Sequence, residues 1–224
     1  MLFARRPGAP VMADLPEVPS GRGIQSDAQP GAPEQPKLPK TEKPMETSML
    51  HNAAESTLVL VDFQARLMPA IHDGDRVVKE AIRLANIARV LGVPIVGTEQ
   101  SPGSLGENLD EIKRLCDRTV AKDHFDACRD GLPDALPAGR KHVVVAGCEA
   151  HVCVLQTVAG LLDHGLKVTV VLDAIGSRKR ASYEAAVDRM RRDGATAATV
   201  EMIAFEWLRT SRHERFREVL GLVK

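Results

Sequence analysis

A carboxylate, an ammonium and a thiol stand at three places where a short apolar run of the chain stops: Asp62 after Leu58–Val61, Lys122 after Thr119–Ala121, and Cys153 shortly after His142–Ala146. Together these types do one chemistry. A thiol becomes a nucleophile when a base within hydrogen-bond reach takes its proton, and a carboxylate is such a base. A lysine beside them supplies positive charge where negative charge develops. Each residue also has a plainer use. Cys153 between Val152 and Val154 can be a small buried hydrophobe, Asp62 can cap a helix, and Lys122 can be a surface charge.

Their positions depend on the elements around them. Lys141 to Arg178 reads KHVVVAGCEAHVCVLQTVAGLLDHGLKVTVVLDAIGSR. His142–Ala146 is a valine-rich run of the kind buried on both faces of a parallel sheet, and Gly147 is expected to end it. From Val152 the apolar spacing becomes helical, through Val154, Leu155, Val158, Leu161 and Leu162, and His164-Gly165 stops the helix. Val168–Leu172 is the next strand, which completes a right-handed β-α-β unit. Cys153 falls in the first turn of that helix. The unpaired N–H groups and positive dipole end there favour a thiolate.

Upstream, the fold is expected to start at Thr57. The strand Leu58–Phe63 precedes a helix over Asp75–Leu91 with Val78, Ile82, Ala85 and Leu91 inward. A strand Pro94–Thr98, a glycine-rich loop Glu99–Glu107, a short helix Leu109–Leu115, a strand Thr119–Lys122 and a short helix Asp130–Leu136 follow. Downstream come a helix over Lys179–Arg192, a strand near Thr196–Ile203, and helices at Met202–Leu208 and His213–Leu222. Alternating strands and helices predict an α/β/α doubly wound, mainly parallel sheet of about six strands. In such a sheet the carboxyl ends of the strands lie on one edge, so Asp62, Lys122 and Cys153 converge on one crevice.

Residues 1–50 differ in kind. Nine of the 14 prolines lie between Pro7 and Pro44, and the apolar residues there show no period. This composition suits a disordered extension ahead of a domain over 51–224. Arg5 and Arg6 hint at import, and Met12, Met45 and Met49 offer later starts. The segment carries six basic and six acidic residues, which leaves 24 of each of the 30 and 30 for the rest. With charge balanced in both parts and aromatics at 3%, nucleic acid is not an expected partner. Apolar runs are strand-sized, short of a membrane span. Four cysteines without a C-x-x-C pair, and no secretory signal, suggest reduced thiols and a cytoplasmic protein. No G-x-G-x-x-G follows the first strand, and no cofactor or metal motif is present. His142, His151 and His164 lack zinc spacing and are taken as structural or surface residues. The basic cluster around Arg178, Arg180 and Arg192 is expected to be a solvated helix face.

The segments LVLVDFQ (58–64), VAKDHF (120–125) and AGCEAHVCVLQT (146–157), followed by VVLDAIGSR, resemble the isochorismatase-like cysteine hydrolases, which include nicotinamidases and N-carbamoylsarcosine amidases. The likeness spans about Thr57 to Val223. EAHVCVLQT with TEQSPGSLG (98–106) resembles the branch named only for its isochorismatase domain. The resemblance implies Cys153 as nucleophile, Asp62 as base and Lys122 as third member of a triad. It implies a non-proline cis peptide at Cys148-Glu149 and an oxyanion hole from the backbone N–H groups of Glu149 and Cys153. Gln64, Gln100 and Phe125 are expected to line the substrate pocket, and the loops 99–108 and 123–132 to select the substrate. The Asp-x-His metal pattern of nicotinamidases is missing from TEQSPGSLGENLDEIKRL, so neither a metal nor nicotinamide is expected. True isochorismatases can lack the cysteine; its presence points to amide, imide or ureide chemistry. A scaffold that keeps the fold without turnover is the alternative. Family members assemble, so a homo-oligomer is expected, with Ile203, Phe205, Trp207 and Leu208 as a possible interface.

Overall fold

The computed structural model describes residues 50–224, so all but the last residue of the proline-rich extension lies outside the described residues. Six strands form one parallel sheet: β1 (Ser56–Val61), β2 (Ile95–Gln100), β3 (Arg118–Lys122), β4 (His142–Cys148), β5 (Lys167–Gly176) and β6 (Thr196–Ala198), in the order β3-β2-β1-β4-β5-β6. The helices are α1 (Gly74–Val90), α2 (Pro102–Leu105), α3 (Asp110–Lys113), α4 (Leu132–Ala135), α5 (Leu155–Asp163), α6 (Arg180–Arg192), α7 (Val200–Leu208) and α8 (Phe216–Val223).

Side-chain alternation along the strands feeds two cores. Leu58 and Leu60 of β1, with Val144 and Ala146 of β4, pack under α1, α7 and α8. Val59, Val61, Val143 and Val145 pack on the other face, under α5 and α6. Because β1 and β4 have no exposed face, they carry unbroken apolar runs, Leu58–Val61 and Val143–Ala146, rather than alternating patterns. The chain winds from β1 outward to β3, returns to β4 beside β1, and winds the other way. Neighbouring strands therefore diverge at β1/β4, the place where doubly wound sheets open a crevice.

Three expectations need correction. The inner side of α1 is broader and rotated: Val77, Ala81, Leu84, Ile87 and Ala88 are buried beside Val78 and Ala85, while Ile82 and Leu91 are partly exposed. The helix packs against α7 and α8 as well as the sheet, so one stripe does not describe its buried face. The last strand has three residues instead of eight. Thr199 caps α7 through Oγ1, and the Asp173 carboxylate accepts from the Val200 N–H, so Val200 and Ile203 are helical. That places Ile203, Trp207 and Leu208 in the protein's own core; of the four residues expected at an interface, only Phe205 is exposed, beside Met202. Among the described residues no helix is long and apolar enough to cross a membrane, and all four cysteines are free.

Candidate active site

β1 ends at Val61, and Asp62 follows in a left-handed conformation with φ 53°, a region that aspartate enters more readily than most residues. Its N–H still bonds to the Thr98 carbonyl of β2. Its carboxylate is fully buried and held at both oxygens: Thr98 Oγ1 donates to Oδ1 at 2.6 Å, and Lys122 Nζ donates to Oδ2 at 2.8 Å. Neither member of this ion pair has any exposed side-chain surface. Lys122 is the last residue of β3, and Gln100, its register partner, is the last of β2. Lys122 Nζ also donates to Gln100 Oε1 at 2.7 Å.

Cys153 arrives from the other direction. β4 runs two residues further than its valine run, to Cys148, because Gly147 lets it pass β1 closely. A Cβ there would lie 2.2 Å from the Val61 carbonyl oxygen, at a φ of 141° that disfavours any side chain. The Cys148-Glu149 peptide is cis, at the position the resemblance implies. A π turn over Ala150–Val154 then carries Cys153 ahead of α5. The Cys153 thiol is 6% exposed, and its Sγ lies 3.9 Å from Gln100 Oε1. It also engages the Asp62 carboxylate and the Lys122 ammonium. The three residues expected at one crevice are brought together.

The electrostatics correct one expectation. Burial first, and the Asp62 charge second, push the Cys153 thiol up to about 12; Lys122 opposes them only in part. The helix start does not reverse this. The N–H groups of Val152 and Val154, on either side of Cys153, both donate to the Glu149 carbonyl, and the element is a π turn rather than an α-helical first turn. Cys116 and Cys128 are likewise raised to about 12 by burial. Cys153 differs from them in the company it keeps: a carboxylate to receive the proton and an ammonium to balance the charge.

Of the residues expected to line the pocket, Gln64 and Gln100 are buried with their amides occupied by the protein. Gln64 bonds to the backbone of Gln100 through both amide atoms and to the Gly106 carbonyl, closing the loop after β2 onto β1. Phe125 is half exposed. Its segment is fastened on both sides. Asp130 accepts from the N–H groups of Asp123 and His124, and Thr157 Oγ1 accepts from Ala127. Glu149 meets an unexpected partner: Arg178, read from sequence as part of a solvated face, donates to its carboxylate at 2.9 Å from Nε. His151 and Ser177 bond at 3.0 Å on the same side. A recess of about 170 Å³ reaches Lys122, bounded by Pro102, Ala121, Asp123 and Asp130; cavities of about 310 and 680 Å³ lie elsewhere. Thr98, which fixes the Asp62 carboxylate, was not singled out by sequence. Its only signal is its place at the end of a strand adjacent to β1.

A sequence model of the isochorismatase domain matches residues 56–202. Isochorismatase domain-containing protein 2A of Mus musculus is 36% identical over 172 residues, 75% of this chain and 82% of its own. A structure titled MAR1 ribonuclease from Caenorhabditis elegans superposes with a TM-score of 0.74 at 33% identity, covering 78% of this chain and 92% of that one. YcaC from Pseudomonas aeruginosa, solved with hexane-2,5-diol and covalent acrylamide, superposes with a TM-score of 0.73 at 26% identity over 79% and 92% of the two chains.

Proposed function

The chain belongs to the isochorismatase family, and from that premise we propose that it hydrolyses a small carbon–nitrogen substrate, an amide, imide or ureide, with Cys153 as nucleophile, Asp62 as base and Lys122 as the balancing charge. The observation that carries this reading is the buried Asp62–Lys122 pair with the Cys153 thiol beside it, bonded to the same Gln100 oxygen that accepts from Lys122. Because the resting thiol keeps its proton, attack and deprotonation belong to one step. The S–H proton passes to Asp62 as sulfur bonds to the carbonyl carbon and the carbonyl π pair moves to oxygen. The oxyanion is received by the backbone N–H groups of Glu149 and Cys153. The C–N bond then breaks, and the leaving amine takes the proton from Asp62. Water, deprotonated by Asp62, attacks the thioester, and the departing thiolate recovers the proton. No cofactor is needed for any of these transfers.

The acrylamide found covalently attached to YcaC is an amide-bearing electrophile, the kind of molecule a thiol site of this shape accepts. The ribonuclease title of the worm protein favours a different substrate. Against RNA here stand the zero net charge and the pairing of three of the four α6 arginines with carboxylates: Arg180 with Glu184, Arg189 with Asp193 and Arg192 with Asp188. One observation supports the second reading, a binding protein that retains the fold: the recess beside Lys122 is small, about 170 Å³, and the Lys122 and Asp62 side chains have no exposed surface. Self-assembly is part of the proposal and, through α7, would use Met202 and Phe205.

A screen of small amides, imides and ureides for ammonia release decides between the two. Hydrolysis that disappears in Cys153→Ala, with the melting temperature kept within a few degrees, supports the hydrolase. Release that survives in Cys153→Ala refutes Cys153 as nucleophile, and no release from any compound leaves the binding reading standing.

A further inference from the structure

We propose that Gln100 is a positioning residue of the thiol site: its amide oxygen holds the Lys122 ammonium beside Asp62 and competes with the Cys153 sulfur for that charge. A glutamine amide has two N–H donors and an oxygen with two acceptor sites, and all four are occupied. Oε1 accepts from Lys122 Nζ at 2.7 Å and from Cys153 Sγ at 3.9 Å. Nε2 donates to the Asp123 carbonyl at 2.8 Å and to Ser101 Oγ at 3.2 Å. The residue is 7% exposed, and Gln64 grips its backbone on both sides, to the N–H at 2.8 Å and to the carbonyl at 3.0 Å. No donor or acceptor remains for a substrate.

The thiol proton therefore has two acceptors, the Asp62 carboxylate and the Gln100 oxygen, and the ammonium has two as well. Gln100 stabilises the resting arrangement from both sides. It accepts the S–H, which favours the neutral thiol, and it takes one of the ammonium's hydrogen bonds, so Lys122 offsets the burial and the Asp62 charge at the sulfur only in part. The site then makes a thiolate only when a substrate draws the electron pair, while Asp62 stays aligned to receive the proton. The same amide ties the site to the loop that carries Phe125, through the Asp123 carbonyl. The assignment rests on Cys153 being the reactive thiol.

The test is the rate at which iodoacetamide alkylates Cys153 in the full-length protein at a fixed pH near 8, followed by mass spectrometry of the Cys153 peptide. Alkylation tracks the thiolate fraction. Gln100→Leu removes the oxygen, lets Nζ approach the sulfur, and should raise the rate at least about threefold, half a pKa unit. Gln100→Glu adds a second carboxylate beside the sulfur and should lower it by about tenfold or more. Opposite signs are the signature. Equal rates in wild type and both variants, with only KM altered for a substrate, would make Gln100 a pocket residue and overturn the proposal. A change of the same sign in both variants would reduce Gln100 to a structural residue. Gln100→Met replaces the leucine variant if that one does not fold. Opposite signs in a protein that hydrolyses nothing in the amide screen would reject the hydrolase reading and leave the role of Gln100 intact.

Discussion

The two ends of the parallel sheet both bury a dense polar cluster, and only one of them sets a buried ion pair against a thiol. At the carboxyl end stand Asp62, Lys122, Gln100, Gln64 and Thr98; at the amino end stand His51, His142, Ser56, Thr169 and Trp207, with Glu206 partly buried beside them. Density and burial do not separate them. At the amino end Trp207 Nε1 donates to Ser56 Oγ at 3.1 Å, and the Thr169 hydroxyl bonds to His51 Nε2 at 2.7 Å. Arg140 and Arg209 tie down the backbone carbonyls of residues 50–56. Yet the Nδ1 atoms of His51 and His142, whose rings meet edge-on at 5.6 Å, have no partner there, nor has Thr57 Oγ1. At the other end Asn108 Oδ1, next to Thr98, also lacks a partner, but every side-chain polar atom of Asp62, Lys122, Gln100 and Gln64 has one, and full charges face a thiol. Incomplete bonding is tolerated where the cluster only anchors the chain. Where charge must be held in one place, each atom is accounted for.

The largest expected contrast follows from that difference in charge. Lys122→Met leaves the Asp62 carboxylate buried without its cation, which typically costs about 3–5 kcal/mol; in a domain of this size the melting temperature should fall by roughly 10 °C. Adding Asp62→Asn should recover most of the loss without restoring activity. At the amino end, Glu206→Gln touches a carboxylate that accepts the His51 backbone N–H at 2.9 Å and faces the His51 ring, which burial keeps from charging, at 3.9 Å. A glutamine oxygen can still accept that bond, so the change should cost under about 1 kcal/mol. Thermal melts of the three variants make the comparison; similar costs for Lys122→Met and Glu206→Gln would break it.

Acid should find the amino end next. Burial is the leading cause that lowers His51 below its ordinary value, with His142, Arg209 and Lys167 adding to it and Glu206 opposing; burial also lowers His142, with Lys167 and Arg209 adding and Glu55 opposing. A histidine held low in the folded state takes up its proton more readily in the unfolded chain. Its contribution is intact above the unfolded value near 6.5 and is lost as pH falls through the lowered folded value. Stability should therefore drop between pH 7 and pH 5, with amide exchange of residues 50–56 rising first. His142→Phe keeps a ring against His51 without a titrating group and should flatten the slope; an unchanged slope would place the acid sensitivity elsewhere.

How much of this was legible depends on what each residue's neighbours are. Asp62, Lys122 and Cys153 could be found because each follows an apolar run that stops, and a parallel sheet puts such stops on one edge. Thr98 was hidden, and Gln100 was read only as a pocket residue, because β2 continues through polar residues, Glu99 and Gln100, whose burial comes from the loop Gln64 closes over them, not from a hydrophobic period. The state of the thiol was misjudged for a related reason. A helix start argues for a thiolate, but burial and the Asp62 charge are larger than a dipole whose flanking N–H groups are already occupied by Glu149. The short β6 was hidden by valine and isoleucine, which suit a strand until Thr199 and Asp173 are seen to cap the helix containing them. Arg178 is exposed, as read, but its bond to Glu149 was not legible because that residue is 29 positions away.

The finest version of the comparison makes one chemical change at each end of the sheet. Thr57 in β1 and Thr98 in β2 are both fully buried or nearly so, at 1% and 0% exposure. Valine replaces either hydroxyl by a methyl group with little change of shape. The Thr57 hydroxyl has no partner, so the folded state bears an uncompensated desolvation of that group, of order 1–3 kcal/mol. Thr57→Val removes the cost and should stabilise the protein by roughly 0.5–1 kcal/mol, since part of the penalty is relieved by relaxation around the site. The Thr98 hydroxyl donates to the Asp62 carboxylate at 2.6 Å, and hydrogen bonds to charged groups contribute about 1.5–3 kcal/mol. Thr98→Val should cost about that much and slow Cys153-dependent turnover, because Asp62 loses the bond that fixes the angle of its carboxylate. Denaturant midpoints of the two single variants read the sign directly. If both move the same way, partner count does not distinguish the anchoring end of the sheet from the reacting one.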